Sequence, residues 1–249
     1  MIIIKNNKEI DLMRSAGKIV AETLLLIEEK VRPGITTAEL DSIAEEFITK
    51  HGARPSFKGL YGFPASLCIS VNEQVVHGIP GGYVLKDGDI VSVDCGANIN
   101  GFHGDAARTF GVGNITKEAE KLINVTRESF FNGIEYAKVG NRLTDISHEI
   151  QNCVEAAGFS VVRDFVGHGI GRVVHEDPDI PNYGPPGRGP KLVEGMALAI
   201  EPMVNAGNYK VKTLSNDWTV VTSDGSLSAH YENTIVILPD GPEILTLIR

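Results

Sequence analysis

A chain of 249 residues, 42% hydrophobic and 22% charged, has the make-up of an ordinary globular protein, and at that length it can bury roughly 70–75% of the surface its unfolded form exposes, so a full core needs no covalent staples. A formal net charge of −9 argues against nonspecific nucleic-acid binding, which requires a basic face. No apolar run reaches the ~18–20 residues that span a bilayer, Met1–Ile4 is too short for a signal-peptide core, and the three cysteines, at 68, 95 and 153, form no Cys-x-x-Cys pair; the expected compartment is a reducing cytosol, with neither a disulfide framework nor a cysteine zinc site.

In chain order, residues 8–31 read as a helix: Ile10, Met13, Gly17, Val20, Leu24, Ile27 and Val31 step by three and four. Asn6 with Glu9 resembles a capping box, and Pro33-Gly34 stops the run. A second helix is expected over 37–51, capped by Thr36 and Glu39, with Leu40, Ile43, Ala44 and Phe47 facing inward. Strand signals follow at 67–71, 89–98 and 102–110. The second half repeats this order, with a helix over 116–137, a helix over 144–157, then strands through residue 247. Gly34 and Gly52 bracket the second helix of the first half, and Gly140 and Gly158 bracket its counterpart at the same spacing. The element order therefore suggests an internal duplication, with halves of about 1–112 and 113–249. We expect one α+β domain over 1–249, in which antiparallel strands from both halves form a curved sheet, four helices pack behind it, and the site lies in the cleft between the halves. Residues 178–192, rich in proline and glycine, read as a long ordered surface loop.

The informative residues are acids in places that disfavour them. Asn100-Gly101 between two apolar runs is a strong two-residue hairpin signal. With those residues as the loop, 99 pairs with 102 and 94 with 107, so Asp94 and Asp105 project from one face at diagonal range. Left alone, two such carboxylates repel; a divalent cation between them removes the conflict. Asp94 also sits in mid-strand, where aspartate is disfavoured. Glu201, in Met196–Val204, and Glu232, in His230–Leu238, lie in apolar runs read as strands, which pay dearly for an uncompensated carboxylate. His168 stands in the run Gly167-His-Gly-Ile-Gly171, whose glycines allow a tight bend and a close approach to an ion or substrate. Four acids and one glycine-framed imidazole make a hard-ligand set for a dinuclear divalent site. Neither His-Glu-x-x-His nor Gly-x-Ser-x-Gly occurs, and there is no P-loop or dinucleotide fingerprint. His51, His103 and His148 read as solvated side chains.

Gly167-His168-Gly-Ile-Gly-x-x-x-His175-Glu-x-Pro, with His77-Gly-Ile-Pro80, Phe102-His-Gly-Asp105, Ile200-Glu201-Pro-Met203 and Tyr231-Glu232-Asn-Thr in the same order, resembles the type I methionine aminopeptidases, the bacterial branch of the pita-bread peptidases, from about residue 2 to the C-terminus. The short interval between His168 and Glu201 leaves no room for the insertion that marks type II enzymes. The resemblance implies the pita-bread fold and two divalent ions, Co, Mn, Fe or Zn. Asp94 would chelate one ion, His168 and Glu201 the other, and Asp105 and Glu232 would bridge. It implies removal of the initiator methionine from nascent polypeptide N-termini when the second residue is small, by attack of metal-activated water, with Glu201 as proton shuttle and His77 and His175 as substrate-contacting catalytic groups. Leu60, Phe63, Cys68, Val174 and Trp218 match positions that wall the family's methionine pocket, although Val174 is smaller than the aromatic expected there and Cys68 also reads as core. His230 stands where the resemblance leads us to expect glutamine. A cytoplasmic monomer follows, with no membrane or nucleic-acid site, and Lys210 and Lys212 offer a small patch for transient ribosome contact. The nearest alternative, a prolidase or Xaa-Pro aminopeptidase, shares fold and ligands but usually carries a large extra N-terminal domain. A metal-free binding protein on the same scaffold would have lost ligands, whereas all five are present.

Overall fold

The computed structural model describes residues 1–248; Arg249, the last residue of the expected domain, lies outside them. Four helices form where the periodicity places them: α1 (Asn7–Lys30), α2 (Thr37–Lys50), α3 (Lys117–Ile134) and α4 (Leu143–Ala156). Both expected capping boxes are present, Asn6 with Glu9 and Thr36 with Glu39. Each satisfies backbone donors that a helix start leaves open. Helix α3 ends short of residue 137, because Tyr136 and Ala137 donate three residues back, to Gly133 and Ile134, and tighten the chain into turns.

Helix α1 lies across the hairpin made by strands Ile90–Ile99 and Phe102–Gly111. The closest approach is between glycines: a Cβ on Gly104 would lie 2.8 Å from the Gly17 nitrogen, and one on Gly17 would lie 2.2 Å from the Leu245 carbonyl oxygen. The hairpin has the register read from its turn, with Ile99 opposite Phe102 and Asp94 opposite Ala107. Asn100 and Gly101 both take positive φ, 54° and 78°, as a two-residue turn of this hand requires. Asp105 stands opposite Gly96, so the two aspartates share a face as expected. Strand Leu67–Val71 pairs along the other edge and sets Cys68 opposite Asp94.

All strand pairings among the described residues are antiparallel, and hydrogen bonding gathers the strands into four groups. The largest runs Gly241–Ile244, Asn233–Leu238, Ala197–Ile200, Gly167–Gly169, Glu176–Ile180. It meets the first-half hairpin at a seam: Ala107 and Glu232 exchange both backbone hydrogen bonds (3.3 and 3.0 Å), and the Thr234 hydroxyl accepts from Asp105 N–H (3.0 Å) and donates to its carbonyl (2.9 Å).

Three expectations need correction. Glu201 and Glu232 lie at interruptions of strands, not within them. Pro202 has no N–H to give the ladder; Ala197–Ile200 pairs with Asn233–Leu238, while Met203–Asn205 pairs with Ser228–His230 in another sheet. Gly167, Gly169 and Gly171 do not take positive φ, so they serve close approach and not a bend. A Cβ on Gly167 would meet the Ala199 carbonyl at 2.4 Å, and one on Gly169 the Asp177 carbonyl at 2.1 Å. The segment 178–192 begins inside the strand Glu176–Ile180 and only then becomes loop.

Gly17→Ala should therefore be destabilising without touching the site. Crowding of this kind costs about 1–3 kcal/mol, and in a chain of this size calorimetry should register roughly 2–4 °C of Tm per kcal/mol. An unchanged Tm would mean that α1 does not sit this close to the Leu245 backbone.

Candidate metal centre

The hairpin, the seam and the two strand interruptions bring all five expected ligands to the floor of one cavity of about 440 Å³. Asp94 and Asp105 come from the hairpin, His168 from its short strand, and Glu201 and Glu232 from the interruptions. Asp105, His168 and Glu232 offer ligand atoms within 4.8 Å of one another. His168 Nε2 lies 3.6 Å from Glu201 Oε1 and 4.0 Å from Asp105 Oδ2. Its Nδ1 is 2.9 Å from the Gly169 carbonyl, which can only accept. The proton is thereby placed on Nδ1, and a lone pair on Nε2 faces the cavity.

Buried polar atoms are normally paired. Here Asp94 Oδ1, Asp105 Oδ1, Glu232 Oε1 and His230 Nε2 are buried with no hydrogen-bond partner. Arg108 sits behind the floor and gives its guanidinium to the backbone carbonyls of Glu232 (2.5 Å) and Ala107 (2.8 Å), not to a carboxylate. Burial pushes the Asp94 carboxyl up to about 7. Burial first, then the neighbouring acids, holds Asp105, Glu201 and Glu232 well above the usual carboxylate range. Burial, reinforced by His175, pushes His168 down to about 4. Unpaired carboxylate oxygens around a neutral imidazole are what a hard divalent ion needs, so the residues fit such an ion.

Part of the same lining is apolar, contributed by Phe57, Leu60, Phe63, Cys68 and Trp218, which pack as one cluster. Phe63 meets Trp218 edge-on at 5.1 Å between ring centroids. Val174 packs in the same apolar cluster. His77 and His175 also line the cavity. His175 is 4.5 Å from the His168 ring, between centroids, and burial lowers its pKa. His77 has φ 58°, a sparsely populated conformation for a non-glycine residue and one found at functional sites. Burial, then His175, takes His77 down to about 4.

Tyr61, which the sequence reading passed over, stacks on His175 at 5.8 Å and is exposed, also with positive φ. Its flanking glycines, Gly59 and Gly62, were the available signal. Phe165 packs edge-on against His77 at 5.6 Å, and Asp177 and Asp179 also line the cavity. Among the other histidines, His51 is exposed as expected. His103 and His148 are half-buried instead, held by Ser56 Oγ (2.8 Å) and the Gly184 carbonyl (3.0 Å). His230 is buried and faces Glu201 and Glu232.

The pattern that defines metallopeptidase family M24 matches residues 11–239. This chain belongs to that family. It is 78% identical over 249 residues to the methionine aminopeptidase of Clostridium perfringens, with 100% of both chains covered. The crystal structure of methionine aminopeptidase from Rickettsia prowazekii superposes with a TM-score of 0.98 at 46% identity, over 99% of this chain and 100% of that one. The prolidase from Pyrococcus furiosus, at 23% identity and a TM-score of 0.81 over 99% of this chain and 66% of that one, shares the fold. The chain is accordingly an M24 metallopeptidase, and hence a hydrolase, of type I methionine aminopeptidase kind with the pita-bread fold, and its donor set is that of a divalent-metal site.

Because burial keeps protons on these carboxyls in the metal-free protein, binding a divalent ion must release them. Mn²⁺ affinity should therefore rise with pH through neutrality, with the Asp94 carboxyl near 7 contributing most of the change there. Calorimetric titration in buffers of different ionisation enthalpy checks this; an affinity that is flat from pH 6 to 8, with no proton release, would be the contrary result.

Proposed function

We propose that this M24 peptidase removes the initiator methionine from nascent chains whose second residue is small, using two divalent ions. The carrying observation is the mixed lining of one cavity: carboxyls and an imidazole together with an uncharged apolar cluster. In this reading Asp94 would hold one ion and His168 and Glu201 the other, with Asp105 and Glu232 serving both. A bound divalent ion supplies Lewis acidity, lowering the pKa of water and polarising a carbonyl. The physiological metal follows from availability among Mn, Fe, Co and Zn, all of which suit oxygen donors with one imidazole.

The chain's own groups do the rest. The apolar wall takes an unbranched thioether side chain, while the acidic floor attracts a free α-ammonium. Glu201 accepts the proton that water loses on adding to the carbonyl carbon and returns it to the departing amide nitrogen. His175, neutral because burial lowers its pKa, is free to hold the scissile amide, and His77 steadies the oxygen on which charge develops. The halves at about 1–112 and 113–249 together make one catalytic domain, and the enzyme works as a cytoplasmic monomer, with Lys210 and Lys212 for a transient ribosome contact. Among the described residues no helix is long and apolar enough to cross a membrane.

Peptides decide between this reading and proline-directed cleavage. Met-Ala and Met-Gly peptides should be cleaved rapidly, Met-Arg and Met-Leu slowly, and N-acetylated methionine not at all. Preference for Ala-Pro over Met-Ala would favour a prolidase instead.

The assigned roles separate in mutants. Asp105→Ala or Glu232→Ala should abolish turnover and lower metal content; two ions and near-native turnover in either would contradict the bridging assignment. His175→Ala should keep its metal by elemental analysis while losing about 10²–10⁴ in rate, whereas loss of metal would make His175 a ligand.

A further inference from the structure

His230 is buried to 1% exposure, and its Nε2 has no hydrogen-bond partner. An apolar side chain could fill this space without orphaning a polar atom, so packing alone does not account for an imidazole here. Its main chain is clamped on both sides by one hydroxyl. Thr109 Oγ1 accepts from the His230 N–H and donates to the His230 carbonyl, each at 2.9 Å, and Ser92 Oγ lies 2.8 Å from Thr109 Oγ1. Thr109 belongs to the strand that carries Asp105, so the ring is held rigidly relative to the floor of the site.

Glu201 lies between two imidazoles. Its Oε1 is 3.6 Å from His168 Nε2, and its Oε2 is 3.6 Å from His230 Nε2. The two rings differ: His168 has Nδ1 tied to a carbonyl and turns a lone pair inward, whereas no carbonyl fixes His230 in this way among the described contacts. The 3.6 Å separation is a small side-chain adjustment from a hydrogen bond. Glu232 Oε2 is slightly farther from His230, at 3.9 Å.

We propose that His230 is a positioning residue for Glu201: its Nε2–H donates to Glu201 Oε2 and so turns Oε1 toward His168 and the reacting centre. This rests on the reading of Glu201 as a metal ligand and proton carrier. A carboxylate with both duties needs a fixed orientation, and donors to the outer oxygen of a ligand supply it; their loss typically costs 10–100-fold in metal affinity or activity.

The test uses His230→Leu, which has no donor, and His230→Gln, which restores an N–H at similar reach. Mn²⁺ affinity is measured by calorimetric titration of the metal-free proteins, kcat and KM on a Met-Ala peptide, and Tm without metal as a check on folding. His230→Leu should fold, lose about 10–100-fold in Mn²⁺ affinity and in kcat, and leave KM nearly unchanged, whereas His230→Gln should stay within about threefold of the native protein in each. If the leucine variant does not fold, His230→Met takes its place. Unchanged affinity and kcat in the donor-free variant would overturn the proposal, as packing would then suffice. Equal loss of Mn²⁺ in the glutamine and leucine variants would also overturn it, because the ring nitrogen would then be a ligand itself. A native protein that bound no Mn²⁺ would defeat the metal-site reading and be distinguishable from either result.

Discussion

Burying an ionised carboxylate costs several kcal/mol even after a protein relaxes around it, and this fold gathers four carboxyls on one cavity floor, Asp105 and Glu232 buried and Asp94 and Glu201 half-buried. Among the described residues none of the four forms an ion pair with lysine or arginine; Asp105, Glu201 and Glu232 face histidines at 3.6–4.0 Å. The metal-free protein answers by holding protons on these groups, which is why their pKa values all move upward. Such a floor is tolerable only as the receptacle for cationic charge. The geometry around it serves to keep mutually repelling groups together until that charge arrives.

Two structural devices do this. The first is local: a two-residue turn whose register puts Asp94 and Asp105 on one face of a hairpin. The second is a long antiparallel ribbon broken on both strands at the same level, at Glu201-Pro202 and at Tyr231-Glu232, where Tyr231 N–H reaches across to the Pro202 carbonyl at 3.2 Å. A continuous ladder would alternate side chains between two faces. The interruptions free both glutamates from that alternation, and the backbone exchange between Ala107 and Glu232 locks one of them to the hairpin. Glycines 17 and 104 let α1 lie directly on the back of this assembly, so the floor is braced by main-chain contact and not by deformable side chains.

Chemistry and selectivity then share one cavity. Its lining combines the five expected ligands with an apolar cluster, and His77 and His175 line it too. Burial keeps both of these imidazoles neutral, so each can either give or take a hydrogen bond beside a substrate. Tyr61, exposed and stacked on His175, joins the same lining.

What the sequence by itself determined is what short-range rules govern. Helix periodicity and capping boxes located α1 and α2 to within a residue, Asn100-Gly101 set the hairpin register, and acids in apolar runs marked all the carboxylates of the floor. Motif resemblance reached further, to His77 and most of the apolar wall. What only the tertiary structure decided depends on which distant segments pair. Apolar runs around Glu201 and Glu232 look like unbroken strands until their halves are seen in different sheets. The glycines beside His168 look like a bend, yet they admit the Ala199 and Asp177 carbonyls against the backbone, a contact no local signal encodes. Tyr61 against His175, and His230 against Glu201, are likewise meetings of residues far apart in the chain. Residue type and spacing specify what a segment prefers alone, whereas a site assembled across a seam is specified by the packing that closes it.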